Sequence, residues 1–161
     1  MKSLLSSEIT KLLADQAARE NGVSAQYKAF ALSARNMGFF GSEKFLVAAA
    51  LEETTHRDRF LDYLNDMAGG LTKVEGALDR KGAGSLKEIF ELVLGLEIDT
   101  SMRIHAIYAA AHKAGDFYTV EFMKFFLEEQ LTSVRECQDI VNRLASAGTN
   151  LLEFDEWIGE K

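Results

Sequence analysis

Not one of the 161 residues is proline, so nothing in the chain forces a helix to break. An interior proline costs a helix about 3 kcal/mol; without it, helix ends have to be marked by glycine and by capping side chains. Glycine ends helices through its left-handed conformation, and Ser or Asp opens them by accepting from free N–H groups. Read this way, the chain divides into four long helices and a short one. A first helix, α1, is expected over Ser7 to Met37, stopping at Gly38 and Gly41, and a second, α2, from just after Ser42 to Gly69 and Gly70. A third, α3, starts after Ser85 and ends at Gly115. Asp116 caps a fourth, α4, which ends near Gly148, and Leu151 to Ile158 are left for α5. Alternating β-branched runs bounded by turn residues are hard to find.

Each long segment carries an apolar stripe at helical spacing: Leu13, Ala17, Val23 and Tyr27 in α1; Leu46, Ala50, Phe60 and Leu64 in α2. Phe90, Val93, Ile104 and Tyr108 repeat the pattern in α3, and Phe126, Val134, Val141 and Leu144 in α4. Four such helices pack as a bundle. The α1–α2 and α3–α4 connections are short, which implies antiparallel neighbours, whereas the stretch from Gly70 to Ser85 is long enough for a crossover along the bundle. The expected fold is therefore all-α, an antiparallel four-helix bundle with one long crossover and a short fifth helix. With 47% hydrophobic residues, residues 1–161 have the material for one domain. Gly22 and Gly95 fall inside predicted helices, where close helix packing is the simplest reason for them.

The formal charge of −7 argues against nucleic-acid binding, because no basic stripe is available to displace counterions from phosphates. It suits a surface or cavity that attracts cations. Met1 to Leu5 show no long apolar run or cleavage site, so neither a signal peptide nor a membrane span is expected. The single cysteine, Cys137, cannot form an internal disulfide, which suits a cytoplasmic location.

The chemistry lies in what interrupts the stripes. Glu20 falls between Ala17 and Val23, Glu53 and His56 between Ala50 and Phe60, Glu97 between Val93 and Ile104, and Gln130 between Phe126 and Val134. All are expected to point inward, and unpaired carboxylates in an apolar interior need a compensating cation or several strong donors. Glu53 and His56 are three residues apart, hence on one helical face. Glu20 and Glu53 are 33 residues apart, Glu53 and Glu97 are 44, and Glu97 and Gln130 are again 33. Equal intervals in two antiparallel hairpins can bring all four to one level. Oxygen donors with one imidazole suit iron or manganese, and two close divalent ions would let one carboxylate bridge. Glu53 is assigned that bridge, Glu20 and His56 the rest of one position, Glu97 the other, and Gln130 a neutral contact or a water ligand. Tyr27, seven residues after Glu20, lies on nearly the same face and is either an aid to a ligand or a core tyrosine. His105 and His112 are read as surface residues, and Cys137 as a small buried hydrophobe.

At these residues the sequence resembles the non-haem ferritins over nearly its whole length, through a C-terminal Phe154-Asp-Glu-Trp-Ile-Gly159 segment similar to their fifth helix. One long crossover between two helical hairpins is also the topology of ferritin-like folds. The resemblance implies Glu20, Glu53, His56, Glu97 and Gln130 as ligands of two iron ions per subunit, with Tyr27 beside them. It further implies oxidation of Fe(II) by dioxygen or hydrogen peroxide, and storage of Fe(III) as mineral inside a homo-oligomeric shell of about twenty-four subunits.

Departures from neighbouring families narrow this. Bacterioferritins and rubrerythrins complete a symmetric site with a second Glu-x-x-His, where this chain has Gln130 and Ser133. Thr54 stands where a bacterioferritin places its haem-ligating methionine, so no haem is expected, and no Cys-x-x-Cys pair provides a rubredoxin-like centre. Glu52 and Glu129 match part of a third iron site found in some bacterial ferritins, although Thr132 and Ser133 stand where further acids would be. Glu52 and Asp58 are otherwise a solvated face, and Glu121 alone makes a poor acidic entry channel. A di-iron or di-manganese oxidoreductase without mineral storage is the alternative function, and a purely structural polar network is a third.

Overall fold

The computed structural model describes residues 3–69 and 81–161. Among them are five α-helices: α1 (Ser7–Asn36), α2 (Phe40–Ala68), α3 (Leu86–Ala114), α4 (Phe117–Ala147) and α5 (Leu151–Gly159). The caps are the ones the sequence supplies. Ser6 accepts from the Ile9 amide at 3.2 Å, Ser85 from Glu88 at 3.1 Å and Asp116 from Thr119 at 3.1 Å, each satisfying an amide that the first helical turn leaves without a partner. Gly69 and Gly115 close α2 and α3 with φ of +80° and +67°, a conformation that costs other residues steric strain.

One boundary differs from the sequence reading. α2 begins at Phe40 rather than after Ser42, and its N-cap, Phe39, offers no side-chain cap. The cap comes from α5 instead: the Asp155 carboxylate accepts from the amides of Gly41 (2.9 Å) and Ser42 (2.7 Å) and from the Ser42 hydroxyl (2.7 Å). Gly41 is thus a contact residue and not a stop. A Cβ placed on it would lie 1.8 Å from the Asp155 carbonyl oxygen, and one on Gly159 would lie 2.8 Å from the Gly41 Cα. The two helices meet main chain to main chain.

The apolar stripes form two clusters, one toward each end of the bundle. Leu5, ahead of α1, and Ile9 to Ala17 of α1 pack with Phe60 and Leu64 of α2, Ile104 to Ala111 of α3 and Val120 to Phe126 of α4. Val23 to Ala34 of α1 pack with Leu46, Ala50, Leu86 to Val93, Cys137 to Leu144, Phe154 and Ile158. The order of these residues fixes the directions: α1 is antiparallel to α2 and α3, and α3 to α4. α2 ends and α3 begins at opposite ends of the bundle, as a crossover requires; its residues 70–80, which carry most of the expected Gly70–Ser85 connection, lie outside the described residues. Where the chain re-enters, Lys81 and Gln26 of α1 exchange two hydrogen bonds, at 2.8 and 3.0 Å.

Close packing does not account for Gly95. It is exposed, and a Cβ there would meet nothing within 4 Å. Between the two apolar clusters lies a third, polar layer, drawn from all four long helices.

Candidate metal centre

Glu20, Glu53, His56, Glu97 and Gln130 are all buried, at 1%, 8%, 8%, 3% and 7% exposure. They belong to four helices with long apolar stripes, and those stripes force the direction: once Ala17 and Val23 face inward, Glu20 between them faces inward too. Glu53 and His56 share a face of α2, with Nδ1 of the imidazole 3.5 Å from the Glu53 carboxylate. Across the bundle, Gln130 donates to the Glu97 backbone carbonyl at 2.9 Å and to the Glu97 carboxylate. Equal spacing in the two hairpins does bring these residues to one level.

The carboxylates crowd one another. Burial first, then the nearby Glu53 carboxylate, raise the Glu20 pKa well above the ordinary carboxylate range. Burial and the Glu97 charge push Glu53 up to about 8, with Glu52 adding to the rise while Glu20 and Arg19 oppose it. Without a cation, Glu20 and Glu53 are therefore held toward their protonated forms, as the low interior dielectric demands. One carboxylate oxygen of Glu20, Oε2, is buried and without a hydrogen-bond partner; the other accepts from Gln16 at 2.6 Å. The Thr100 hydroxyl, one turn beyond Glu97, is likewise buried and unpartnered. Buried groups of this kind are uncommon in native interiors, and a water or an ion would satisfy them. The donor set of three carboxylates, one imidazole and one amide fits hard or borderline divalent ions such as iron and manganese.

Tyr27 is buried in the same layer. Its hydroxyl donates to Glu97, and burial followed by the Glu97 charge raises its own pKa well above 10. Gln130 and Tyr27 thus hold Glu97 from two sides. His105 and His112 are exposed. Cys137 is buried, and burial raises its thiol pKa.

Two residues of this layer were missed by sequence reasoning. Gln16, buried four residues before Glu20, could have been found from that interval. Arg19 could not: adjacent to Glu20 and off the stripe, it nevertheless tucks in with its side chain only 10% exposed, bonded to Asp99 at 2.8 Å. It is the cation nearest to offsetting Glu53. A second grouping, Glu52, His56 and Glu129, has ligand atoms within 4.8 Å of one another. His56 stands between the two, its Nε2 3.8 Å from Glu129, and its ring packs edge-on against Phe125 and Phe126.

A cavity of about 190 Å³ opens beside the layer, between α2 and α4, and touches Tyr27, Glu53 and Glu97 at its inner end. No described helix is long and apolar enough to cross a membrane.

Comparison with known proteins agrees with this architecture. Residues 10–147 match the family described as Ferritin-like domain. The chain is 25% identical over 156 residues to the bacterial non-heme ferritin of Staphylococcus haemolyticus (strain JCSC1435), covering 95% of this chain and 94% of that one. It is 28% identical over 161 residues to a probable bacterial non-heme ferritin-like protein of Haemophilus influenzae, covering 97% and 96%. Its backbone also superimposes on an open pore ferritin of the hyperthermophilic archaeon Archaeoglobus fulgidus with a TM-score of 0.93, at 24% identity and 98% coverage of each chain. That last likeness speaks to the fold.

Proposed function

This chain belongs to the Ferritin-like domain family, and from that premise we propose that it is an iron-storage protein that oxidises Fe(II) at the mid-bundle layer. Fe(III) is then kept as mineral inside a hollow homo-oligomeric shell, the assembly that the resemblance to the non-haem ferritins implies. The observation that carries the reading is the Glu20–Glu53 pair: two buried carboxyls side by side, one with an oxygen lacking any hydrogen-bond partner. Such a pair is strongly unfavourable when ionised, and a divalent cation is what reverses the sign.

Fe(II) is the substrate here. Glu53, flanked by Glu20 and Glu97, is suited to bridge two ions; Glu20 and His56 complete one position and Glu97 the other. Binding displaces the protons that Glu20 and Glu53 hold. Two Fe(II) then supply two electrons to dioxygen, which with two protons becomes hydrogen peroxide; with peroxide as oxidant the same two electrons and two protons give water. The position served by Glu97 has only neutral Gln130 and Ser133 opposite it. Fewer anionic ligands bind Fe(III) less firmly, which favours release toward a store over retention as a permanent cofactor.

The test is to add many Fe(II) per subunit in air. Storage predicts continued oxidation and electron-dense cores in the electron microscope. Saturation near two metals per subunit, with no core, would instead indicate an oxidoreductase that keeps its metals. Glu53→Ala is expected to abolish the rapid oxidation phase, and wild-type rates in that variant would refute the ligand assignment.

A further inference from the structure

The cavity between α2 and α4 joins solvent to the acids. Its outer rim includes exposed Glu52, and its inner end is made by Glu53 and Glu97. Small side chains, Ala48 and Ala49 on α2 and Ser133 on α4, leave it open. A water takes about 30 Å³ of liquid, so a cavity of about 190 Å³ has room for an ion with part of its hydration shell.

The opening carries one cation, Lys161. Its Nζ is 2.6 Å from Glu136 Oε1 and 5.3 Å from the Trp157 ring, and its amide donates to the Ile158 carbonyl at 3.3 Å. Glu136 is on α4, and Trp157 and Ile158 are on α5, which the Asp155 cap and the Gly41–Gly159 contact fix against α2. The ammonium is therefore placed by the fold. The approach past His56 is different: Phe125 and Phe126 pack on the imidazole, and the Arg59 guanidinium lies 3.7 Å over Phe125. The α1–α3 side is covered by the Arg19–Asp99 pair.

We infer that this cavity is the passage by which divalent cations reach the centre, and that the Lys161–Glu136 ion pair is its electrostatic gate. The inference rests on the reading of the acid layer as a metal centre. With Lys161 in place, the rim charge of Glu52 and Glu136 is partly cancelled; without it, two carboxylates face the solvent and draw cations in. Near a surface, one charge at this range alters an association rate several-fold, and salt removes the effect.

Cobalt(II) is a suitable probe, because its visible absorption reports arrival at an oxygen and nitrogen site and it is not consumed by air oxidation during a stopped-flow trace. Lys161→Glu is expected to raise the association rate about three- to tenfold at low ionic strength, with the gain lost in high salt and the final spectrum unchanged. Ala49→Phe, or Ala48→Phe if that variant folds poorly, narrows the passage from one wall. Either should slow association and dissociation together by about tenfold or more while the equilibrium affinity stays within about threefold. Wild-type rates in both the gate and the wall variants would overturn the passage while leaving the centre intact. A wild-type protein that binds no cobalt(II) would overturn the metal centre and the passage with it.

Discussion

Replacing Glu53 by glutamine should make the metal-free protein more stable, and by an amount that depends on pH in a defined direction. An ordinary glutamate titrates near 4.5, whereas burial and the Glu97 charge raise Glu53 to about 8 in the folded chain. Below pH 4.5 both folded and unfolded forms carry the proton, and Glu53 imposes no ionic penalty. As pH climbs from 4.5 to 8 the unfolded chain releases the proton and the folded one keeps it, so folding stability falls by about 1.4 kcal/mol per unit. The loss levels off above pH 8. At pH 7.5 the accumulated penalty is about 4 kcal/mol. Glutamine removes it but adds an amide whose hydrogens need partners, which returns about 1–3 kcal/mol. The variant should thus be about 1–3 kcal/mol more stable at pH 7.5, or roughly 2–10 °C in melting temperature for a chain of this length. Near pH 4.5 the advantage should vanish or reverse. Thermal melts of metal-free protein across this range, monitored by circular dichroism, measure the difference directly. Saturating cobalt(II) should invert the order at pH 7.5, because a ligand at a hundred times its dissociation constant stabilises the wild type by about 2.7 kcal/mol and the variant has lost its bridge. A stability difference that is the same at pH 5 and pH 8, or a wild type that is the more stable without metal, would refute the reasoning.

Three further outcomes are expected. Tyr27→Phe deletes the hydroxyl that donates to Glu97; it should slow Fe(II) oxidation several-fold and cost about 1–2 kcal/mol of stability in a chemical denaturation curve. Gly95→Ala should stabilise the protein by about 0.5–1 kcal/mol, since the new methyl meets nothing and helix propensity alone decides the sign; a loss of stability there would mean the site is crowded. Asp155→Ala removes three hydrogen bonds at the start of α2 and should cost about 1–3 kcal/mol. Hydrogen exchange should then quicken at Gly41, Ser42 and through α5 while the amides around Phe60 stay protected.

The bundle was legible because its signals are local and repeated. Stripes at helical spacing, caps at Ser85 and Asp116, and glycines at 69 and 115 each act over a few residues. The acid layer was legible for a different reason: two intervals of 33 residues align Glu20 with Glu53 and Glu97 with Gln130 once the hairpins are antiparallel. What could not be read depends on contacts between distant segments. The start of α2 is set by Asp155, more than a hundred positions away, so Ser42 looked like a cap when it is a partner of one. Arg19 gave no sign, because a long side chain on a flank reaches inward only where a neighbouring helix leaves room. Tyr27 is placed beside Glu97 only by the packing of α1 on α3, which the sequence does not show. Lys161 could be placed only after α5 had been docked.

The bare contact of α2 with α5 also bears on how the molecule can be altered. With no side chain between Gly41 and Gly159, the direction in which the backbone leaves α5 is set by two main chains and cannot be adjusted by a rotamer. A side chain larger than hydrogen at either glycine would have to move a whole helix, so α5 can be loosened from α2 only as a unit.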